Sequence, residues 1–228
     1  MSSTATQIGA SIPVTSEYLH DSDGKPMAET DLHRKLMQEL LHALEEHFRL
    51  DTNVYVSGNI FLYFLDEEKQ RQSVSPDIMV VRGVEKKQRR IYKMDSEGKA
   101  PDVVIELTSS CTKLEDLGTK RVIYAYLGVK EYFLFDPYGE HLEPPLRGYR
   151  LEGNEYMPMV GSRLVSQVLG LEIRMEDNWL RLYKRGTDER LRTPAEAEAE
   201  RSSAEVKALE AEAEIARLRE ELAKLRKV

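Results

Sequence analysis

Two carboxylates occupy unusual positions in the apolar part of this sequence. Asp77 follows Pro76 directly at the start of a short β-branched segment, and Glu106 lies between Ile105 and Leu107 in a second one. An ionised carboxylate among apolar neighbours is costly unless a positive group compensates it. Mg²⁺ binds to one or two carboxylates, while water and phosphate oxygens complete its octahedron. We therefore predict that Asp77 and Glu106 hold a divalent cation, Mg²⁺ or Mn²⁺.

A second proline–aspartate pair, Pro101-Asp102, precedes the strand that contains Glu106. Asp102 follows a proline, and the alternation of side chains along a strand places it on the same face as Glu106. Four residues of extended chain separate the two by roughly 13 Å, which is too far for one shared ion. Asp77 on a neighbouring strand is the better partner, and we interpret Asp102 as a polar residue at the strand entry.

The sequence around these carboxylates resembles a known nuclease superfamily. A Pro-Asp pair, a later strand that ends in glutamate and a downstream lysine are the features of the PD-(D/E)XK nucleases. The finer pattern looks like the Uma-two family of bacterial restriction-endonuclease-like proteins, and it consists of Val-Ile-Glu-Leu-Thr-Ser-Ser at 104–110, Asp-Leu-Gly-Thr-Lys-Arg at 116–121, and Gly-Val-Lys-Glu-Tyr at 128–132 before Asp136-Pro137. The resemblance extends from about Glu29 to Pro137 and is weaker as far as Tyr183.

This resemblance implies an αβββαβ core and metal-dependent hydrolysis of DNA phosphodiester bonds. Thr108 stands two residues after Glu106, where the superfamily has its lysine. The Uma-two family places the lysine on the following helix, where Lys120 is the matching residue and Lys113 is a rival near the helix start. Lys120 would stabilise charge on the phosphate or orient the nucleophile. Superfamily members sometimes add a helix-borne glutamate to the metal site, which makes Glu29 a further candidate ligand.

The helix that carries Lys120 is predicted from about 112 to 127. Asp116, Lys120 and Tyr124 follow at intervals of four residues, so they share one helix face. Asp116 and Tyr124 are therefore additional site candidates. The alternative is that Asp116 and Lys120 form a surface ion pair worth a few tenths of a kcal/mol.

A first helix is predicted over residues 31–48. Its apolar stripe is formed by Leu32, Leu36, Leu40, Leu44 and Phe48. Thr30 is a suitable N-cap. Glu29 and His33 lie near this start, and the alternative to a metal-site role for either is a solvated position beside the cap.

Strands are expected in most of the remaining apolar segments. They are predicted at 54–56, 60–65, 77–81, 102–108, 131–136, 171–174 and 179–183, with a hairpin over 147–160. The segment 60–65 is apolar at every position, which predicts burial on both faces. Residues 66–75 are predicted to be a polar connection.

A cluster of cations follows the Asp77 strand. Its members are Lys86, Lys87, Arg89, Arg90 and Lys93. Such a segment can contact a nucleic-acid backbone through phosphate groups. The alternative is a solvated surface loop.

The composition changes abruptly after residue 192, and Thr193-Pro194 followed by Glu196 marks a helix start. A heptad stripe is formed by Ala204, Ala208, Ala211, Ile215, Leu218, Leu222 and Leu225. In a parallel pair, Lys207 would meet Glu212, Glu214 would meet Arg219, and Glu221 would meet Arg226, so each contact joins opposite charges. We predict a parallel homodimeric coiled coil over 193–228; the alternatives are a single charged helix or a coil with a different partner.

Composition limits the remaining possibilities. The 228 residues suit one domain over about 26–185, with a flexible arm at 1–25 and the C-terminal helix. The net charge of −7 argues against DNA binding over the whole surface but not against a local basic patch. The single cysteine, Cys111, excludes an intrachain disulfide, which favours a reducing cytoplasm. No membrane span or signal peptide is predicted.

Two functions of different classes follow. The first is a Mg²⁺-dependent endonuclease that acts on DNA, with RNA as an open alternative substrate. The second is a catalytically weak or inactive member that serves as a dimeric binding or assembly module. The acidic charge, Thr108 and the coiled coil favour the second function.

Overall fold

The computed structural model of the protein describes residues 30–109 and 112–225. The predicted arm, Glu29 and Cys111 lie outside the described residues. The elements in chain order are α1 (Asp31–His47), β1 (Val54–Ser57), β2 (Leu62–Leu65), β3 (Arg71–Val74), β4 (Ile78–Arg82), β5 (Tyr92–Lys93), α2 (Met94–Glu97), β6 (Val103–Leu107), a π-helical turn (Glu115–Thr119), α3 (Lys120–Leu127), β7 (Glu131–Phe135), β8 (Leu146–Glu152), β9 (Glu155–Pro158), β10 (Arg163–Ser166), β11 (Leu171–Glu176), β12 (Trp179–Lys184) and α4 (Pro194–Leu225).

A six-stranded mixed sheet forms the centre of the fold. Its strand order is β1-β4-β6-β7-β8-β9, and only the β6–β7 pair is parallel. Since α3 supplies the crossover between these parallel strands, the elements α1, β1, β4, β6, α3 and β7 follow the predicted αβββαβ order. Two three-stranded sheets, β10-β11-β12 and β3-β2-β5, complete the mixed α/β architecture.

Both faces of the central sheet are covered, because apolar side chains alternate along its strands. Ile105 and Phe133 point toward α1 and the β10-β11-β12 sheet, whereas Val104 and Leu134 point toward α3 and the β3-β2-β5 sheet. All five residues of β6 are buried, Glu106 among them. The alternation places Glu106 on the α3 face together with Val104.

The prediction for the first helix is confirmed. Thr30 caps α1, since its hydroxyl accepts a hydrogen bond from the His33 amide at 3.2 Å. The second predicted helix is interrupted, because Glu115–Thr119 forms a π-helical turn before α3 begins at Lys120. Such turns widen a helix locally and are frequent at functional sites.

Of two predictions for the segment after β1, one is confirmed in part and one is wrong. Burial of the apolar run 60–65 on both faces holds for the consecutive residues Leu62, Tyr63 and Phe64 of β2, whereas Leu65 is 41% exposed. The segment predicted as a polar connection contains β3, which pairs antiparallel with β2. β3 has a polar sequence because it is an end strand whose Gln72 and Ser73 face solvent.

The C-terminal helix α4 begins where the sequence predicts. Glu196 accepts a hydrogen bond from the Thr193 amide at 2.9 Å, and the Thr193 hydroxyl accepts one from the Glu196 amide at 3.3 Å. This reciprocal pair is a capping box. Within the described part of the chain, none of the helices has the length and apolar character needed to cross a lipid bilayer.

Candidate active site

Two crossed hydrogen bonds fix Asp77 against Glu106. Asp77 directly precedes β4, and the neighbouring strand β6 carries Glu106 one residue beyond the Ile78–Ile105 pair. The Asp77 amide donates to Glu106 Oε2 at 3.2 Å, and the Leu107 amide donates to Asp77 Oδ2 at 2.7 Å. The sheet register therefore places both carboxylates at the same end of the central sheet.

Lys120, the first residue of α3, lies between two carboxylates. Its ammonium lies 3.1 Å from Glu106 Oε2 and 3.1 Å from Asp116 Oδ1. One turn later on α3, the Tyr124 hydroxyl donates to Glu106 Oε1 at 2.6 Å. The Tyr132 hydroxyl on β7 fixes the π-helical turn by donating to the Asp116 carbonyl at 2.9 Å. The parallel crossover thus brings the helix face that carries Lys120 onto the β6 carboxylate.

His33 is also part of this cluster. Its Nε2 lies 3.6 Å from Asp77 Oδ2, and the residue is buried. The interpretation of His33 as a solvated cap-region residue is wrong. The sequence contained a signal for this position, because His33 precedes Leu36 and Leu40 by three and seven residues and so continues the buried stripe of α1.

The electrostatics of the cluster favour a bound cation. Burial raises the pKa of Glu106 to about 8. The negative charges of Asp77 and Asp116 also raise this pKa, whereas the positive charge of Lys120 lowers it. Burial likewise raises the pKa of Asp116. Burial would also raise the pKa of Asp77, but the hydrogen bond from His33 and the charge of Lys120 hold it below its usual value. Nearby carboxylates keep Lys120 charged by raising its pKa despite burial.

The donor set fits a hard divalent ion. Asp77, Glu106 and Asp116 outnumber the single ammonium of Lys120, and neither carboxylate oxygen of Asp116 receives a hydrogen bond of good geometry. Oxygen ligands and a surplus of negative charge are what Mg²⁺ requires. Among residues 30–109 and 112–225, no group of three or more His, Cys, Asp or Glu side chains is arranged to hold a metal ion together. An ion would therefore bind to two carboxylates and to water or substrate oxygens.

Comparison with known proteins identifies the family. The family model described as "Uma2: Putative restriction endonuclease" matches residues 14–176, which is well over half of the chain. The chain belongs to the Uma2 family. The resemblance to the Uma-two pattern is thereby confirmed.

Among solved structures, the Uma2 chain is similar to a crystal structure described as "a putative nuclease belonging to DUF820" from Anabaena variabilis ATCC 29413. The identity is 19%, the match covers 63% of this chain and 75% of that chain, and the TM-score is 0.47. At this identity and TM-score the similarity does not bear on activity. No curated protein matches the sequence.

The structure brings together most of the site residues predicted for this Uma2 chain. Asp77, Glu106, Lys120, Asp116 and Tyr124 lie in one cluster. Of the two candidate lysines only Lys120 forms ion pairs with these carboxylates in the described part of the chain, and the Lys113 amide donates to the Ser109 carbonyl before the π-helical turn. Thr108 directly follows β6 and is buried.

The prediction that Asp102 is a strand-entry residue agrees with its contacts. Asp102 precedes β6 and accepts a hydrogen bond from the Arg82 amide at 2.8 Å. The ammonium groups of Lys99 and Lys130 lie 3.2 and 2.8 Å from its two oxygens. Asp102 therefore joins β4 to the start of β6 at the end of the strand remote from Glu106.

The cation cluster after β4 is divided by the structure. The Arg89 side chain is only 4% exposed, pairs with Glu97 at 2.7 Å, and lies over the Tyr55 ring at 4.2 Å. Lys93 lies in β5. Lys86, Lys87 and Arg90 are exposed. Arg89 therefore holds the segment onto the core, and the exposed cations are the ones that can contact a ligand.

Gly58 lies in a predicted turn, Ser57-Gly58-Asn59, and its close approach to the backbone of Asp77 is evident only in the structure. A Cβ atom at Gly58 would lie 2.1 Å from the Asp77 carbonyl oxygen, and the following Asn59 amide donates to the Pro76 carbonyl at 2.9 Å. Only glycine permits this close approach of two backbones.

We expect Gly58→Ala to destabilise the protein by about 1–3 kcal/mol, because the added methyl group overlaps backbone rather than a flexible side chain. Urea denaturation measures the change in the free energy of unfolding. Gly118→Ala is the matched control, since nothing lies within 4 Å of a Cβ atom there. Equal stability of both variants would contradict this assignment of Gly58.

Proposed function

We propose that the protein is a Mg²⁺-dependent endonuclease that hydrolyses phosphodiester bonds of DNA. The cluster of Asp77, Glu106 and Lys120 is the observation that carries this proposal. These side chains converge at one end of a sheet with αβββαβ order, in a chain of the Uma2 family. The raised pKa of the buried Glu106 adds support, because perturbed titratable groups concentrate at functional sites.

Each residue has a role that its contacts support. Asp77 and Glu106 would hold the metal, which supplies Lewis acidity and lowers the pKa of an attacking water. The ammonium of Lys120 is already desolvated beside Glu106, so it can stabilise negative charge on the phosphate. Tyr124 and His33 are positioning residues, because Tyr124 donates to Glu106 and His33 contacts Asp77.

The proposal is tested by incubating the full chain with supercoiled plasmid and Mg²⁺ or Mn²⁺, with EDTA in a parallel sample. Nicking that requires the metal supports the endonuclease. Incubation with an RNA of matched length under the same conditions shows whether the protein cuts RNA as well as DNA. If Mg²⁺ binds in calorimetry but neither DNA nor RNA is cut, the function proposed here is wrong and the inactive binding module replaces it.

We further propose that α4 joins two copies of the chain as a parallel coiled coil. Its heptad positions Ile215, Leu218 and Leu222 are 46–56% exposed in the single chain. Exposed apolar side chains at heptad spacing gain burial when two helices pair. A parallel dimer would give an assembly with two cleavage sites, one for each strand of a duplex.

Removal of α4 by truncation after Arg192 is expected to convert the dimer into a monomer, as measured by light scattering. Ile215→Lys in the full chain should weaken the dimer, because it places a charge in the helix seam. Leu209→Lys is the matched control, since Leu209 is 67% exposed and lies outside the heptad stripe. A truncated chain that remains dimeric would show that another surface pairs the protomers.

A further inference from the structure

A cleft lies beside β1 on the surface of the protein. Its volume is about 670 Å³, and β1 residues and the segment 86–90 line it. β1 is the end strand of the central sheet, and the Lys86 amide donates to the Thr52 carbonyl at 3.1 Å, which fixes the segment against the sheet edge. The sheet edge at β1 and the segment 86–90 therefore form the two walls of the cleft.

The charge of this cleft is positive although the chain is acidic. Lys86, Lys87 and Arg90 are exposed on its wall, and Glu45 also lines it. The exposed Lys87 ammonium lies 3.2 Å from Glu85 Oε2. The net charge of the whole chain is −7. A local excess of cations on an acidic protein attracts polyanions to one place and not to the entire surface.

The walls of the cleft offer charge but no exposed ring for stacking on a base. Tyr55 is 6% exposed, and it is stacked on Tyr92 with ring centroids 6.1 Å apart. Arg89 covers its ring and is itself held by two hydrogen bonds to Glu97. Contacts in this cleft would therefore be made to phosphates, which position a nucleic acid without reading its sequence.

The cleft is close to the candidate active site along the chain and in space. Val56 and Ser57 line it, and the next two residues touch the Asp77 segment: Gly58 lies against the Asp77 carbonyl, and Asn59 donates to Pro76. Ser57 also pairs with Met79, two residues beyond Asp77. A backbone that occupies the cleft could thus continue toward Asp77 and Glu106.

We infer that this cleft binds the phosphodiester backbone of the nucleic acid next to the bond to be cut, through Lys86, Lys87 and Arg90. The inference extends the proposed function, because it assigns a binding site for the flanking part of the substrate. Arg89 maintains the shape of the cleft and does not contact the phosphates.

The test compares the salt dependence of binding for the full chain and for Lys86→Gln/Lys87→Gln/Arg90→Gln. Fluorescent duplex DNA, single-stranded DNA and RNA of one sequence are titrated in EDTA, which prevents cleavage. For the variant, the plot of the logarithm of the association constant against the logarithm of the salt concentration should be less steep. Its negative slope should be smaller in magnitude by about 3 for duplex DNA and by about 2 for a single strand, because three phosphate contacts are lost. At 0.1 M salt, relative to 1 M, this corresponds to about a thousandfold weaker binding of duplex DNA and about a hundredfold weaker binding of a single strand.

The control variant removes the same charge elsewhere. Lys69→Gln/Arg185→Gln/Arg201→Gln changes three exposed cations that do not line the cleft, and it should bind with the wild-type slope. Thermal denaturation checks that both variants fold.

The outcomes separate this inference from the proposed function. A reduced slope in the cleft variant alone supports the binding site, even if the wild type cuts no nucleic acid in Mg²⁺. Unchanged binding by the cleft variant overturns the inference, even if the wild type is an active endonuclease. Equal losses in both variants, or no binding by the wild type, also overturn it.

Discussion

The double variant Asp77→Asn/Glu106→Gln is expected to lower the rate of plasmid cleavage by at least about a thousandfold. Both substitutions keep the shape of the side chain and remove its charge. Asparagine and glutamine are weak ligands for Mg²⁺, which prefers charged carboxylates. Isothermal titration calorimetry should show that the variant no longer binds Mg²⁺ or Mn²⁺. Loss of both signals together would assign the metal site to these two residues.

Glu115→Gln is the control for this variant. Glu115 is exposed in the π-helical turn next to Asp116, so its substitution removes one negative charge near the cluster without touching it. The control should cut DNA at the wild-type rate. Equal metal binding by the wild type and the double variant would show that the ion is not held by Asp77 and Glu106.

Lys120→Met is expected to lower cleavage by about 10²–10³-fold, because the variant lacks the buried cation that would stabilise the transition-state phosphate. The same change should weaken the fold. The Lys120 ammonium lies 3.1 Å from both Glu106 and Asp116, so its removal leaves two buried carboxylates without this positive partner. Breaking a buried ion pair on one side typically costs about 3–5 kcal/mol.

The stability loss of Lys120→Met should grow with pH. In the unfolded chain, Glu106 titrates near 4.5, whereas burial raises its pKa in the folded wild type to about 8. Removal of Lys120 raises the folded pKa further, because that ammonium favours the charged form. Up to about pH 8 both folded proteins keep Glu106 protonated, so their stabilities fall in parallel as pH rises, and above about pH 8 only the variant continues to lose stability.

Urea denaturation of Lys120→Met and of the wild type at several pH values between about 7 and 10 measures this effect. Lys113→Met is the matched control, since Lys113 precedes the π-helical turn and forms no ion pair with the cluster in the described part of the chain. Its stability should follow the wild-type curve. A pH-independent loss in Lys120→Met would indicate a packing defect and not uncompensated carboxylates.

The chemistry of the candidate site was visible in the sequence because its signals are local. Asp77 after a proline and Glu106 inside an apolar strand are anomalies among near neighbours. The helical spacing of Asp116, Lys120 and Tyr124 likewise depends only on the α-helical repeat. The resemblance to the family selected Lys120, and the structure places it 3.1 Å from Glu106.

Errors arose where strand pairing overrides composition. β3 looked like a loop because its sequence is polar, yet β2 supplies its hydrogen-bond partners. Leu65 was expected to be buried because it belongs to an apolar run, yet it is 41% exposed at the end of β2. Both outcomes depend on which segments become neighbours, and residue composition does not encode that choice.

The sequence by itself therefore indicated Asp77, Glu106 and Lys120 as candidate site residues. It also predicted where α1 and the capped helix α4 begin. Only the tertiary structure decided that His33 contacts Asp77, that Gly58 lies against the Asp77 carbonyl, and that Arg89 is withdrawn from the cation cluster. The physical reason is the range of the interaction. Caps, helical faces and strand alternation are fixed within a few residues, whereas the latter contacts join residues between 8 and 44 positions apart.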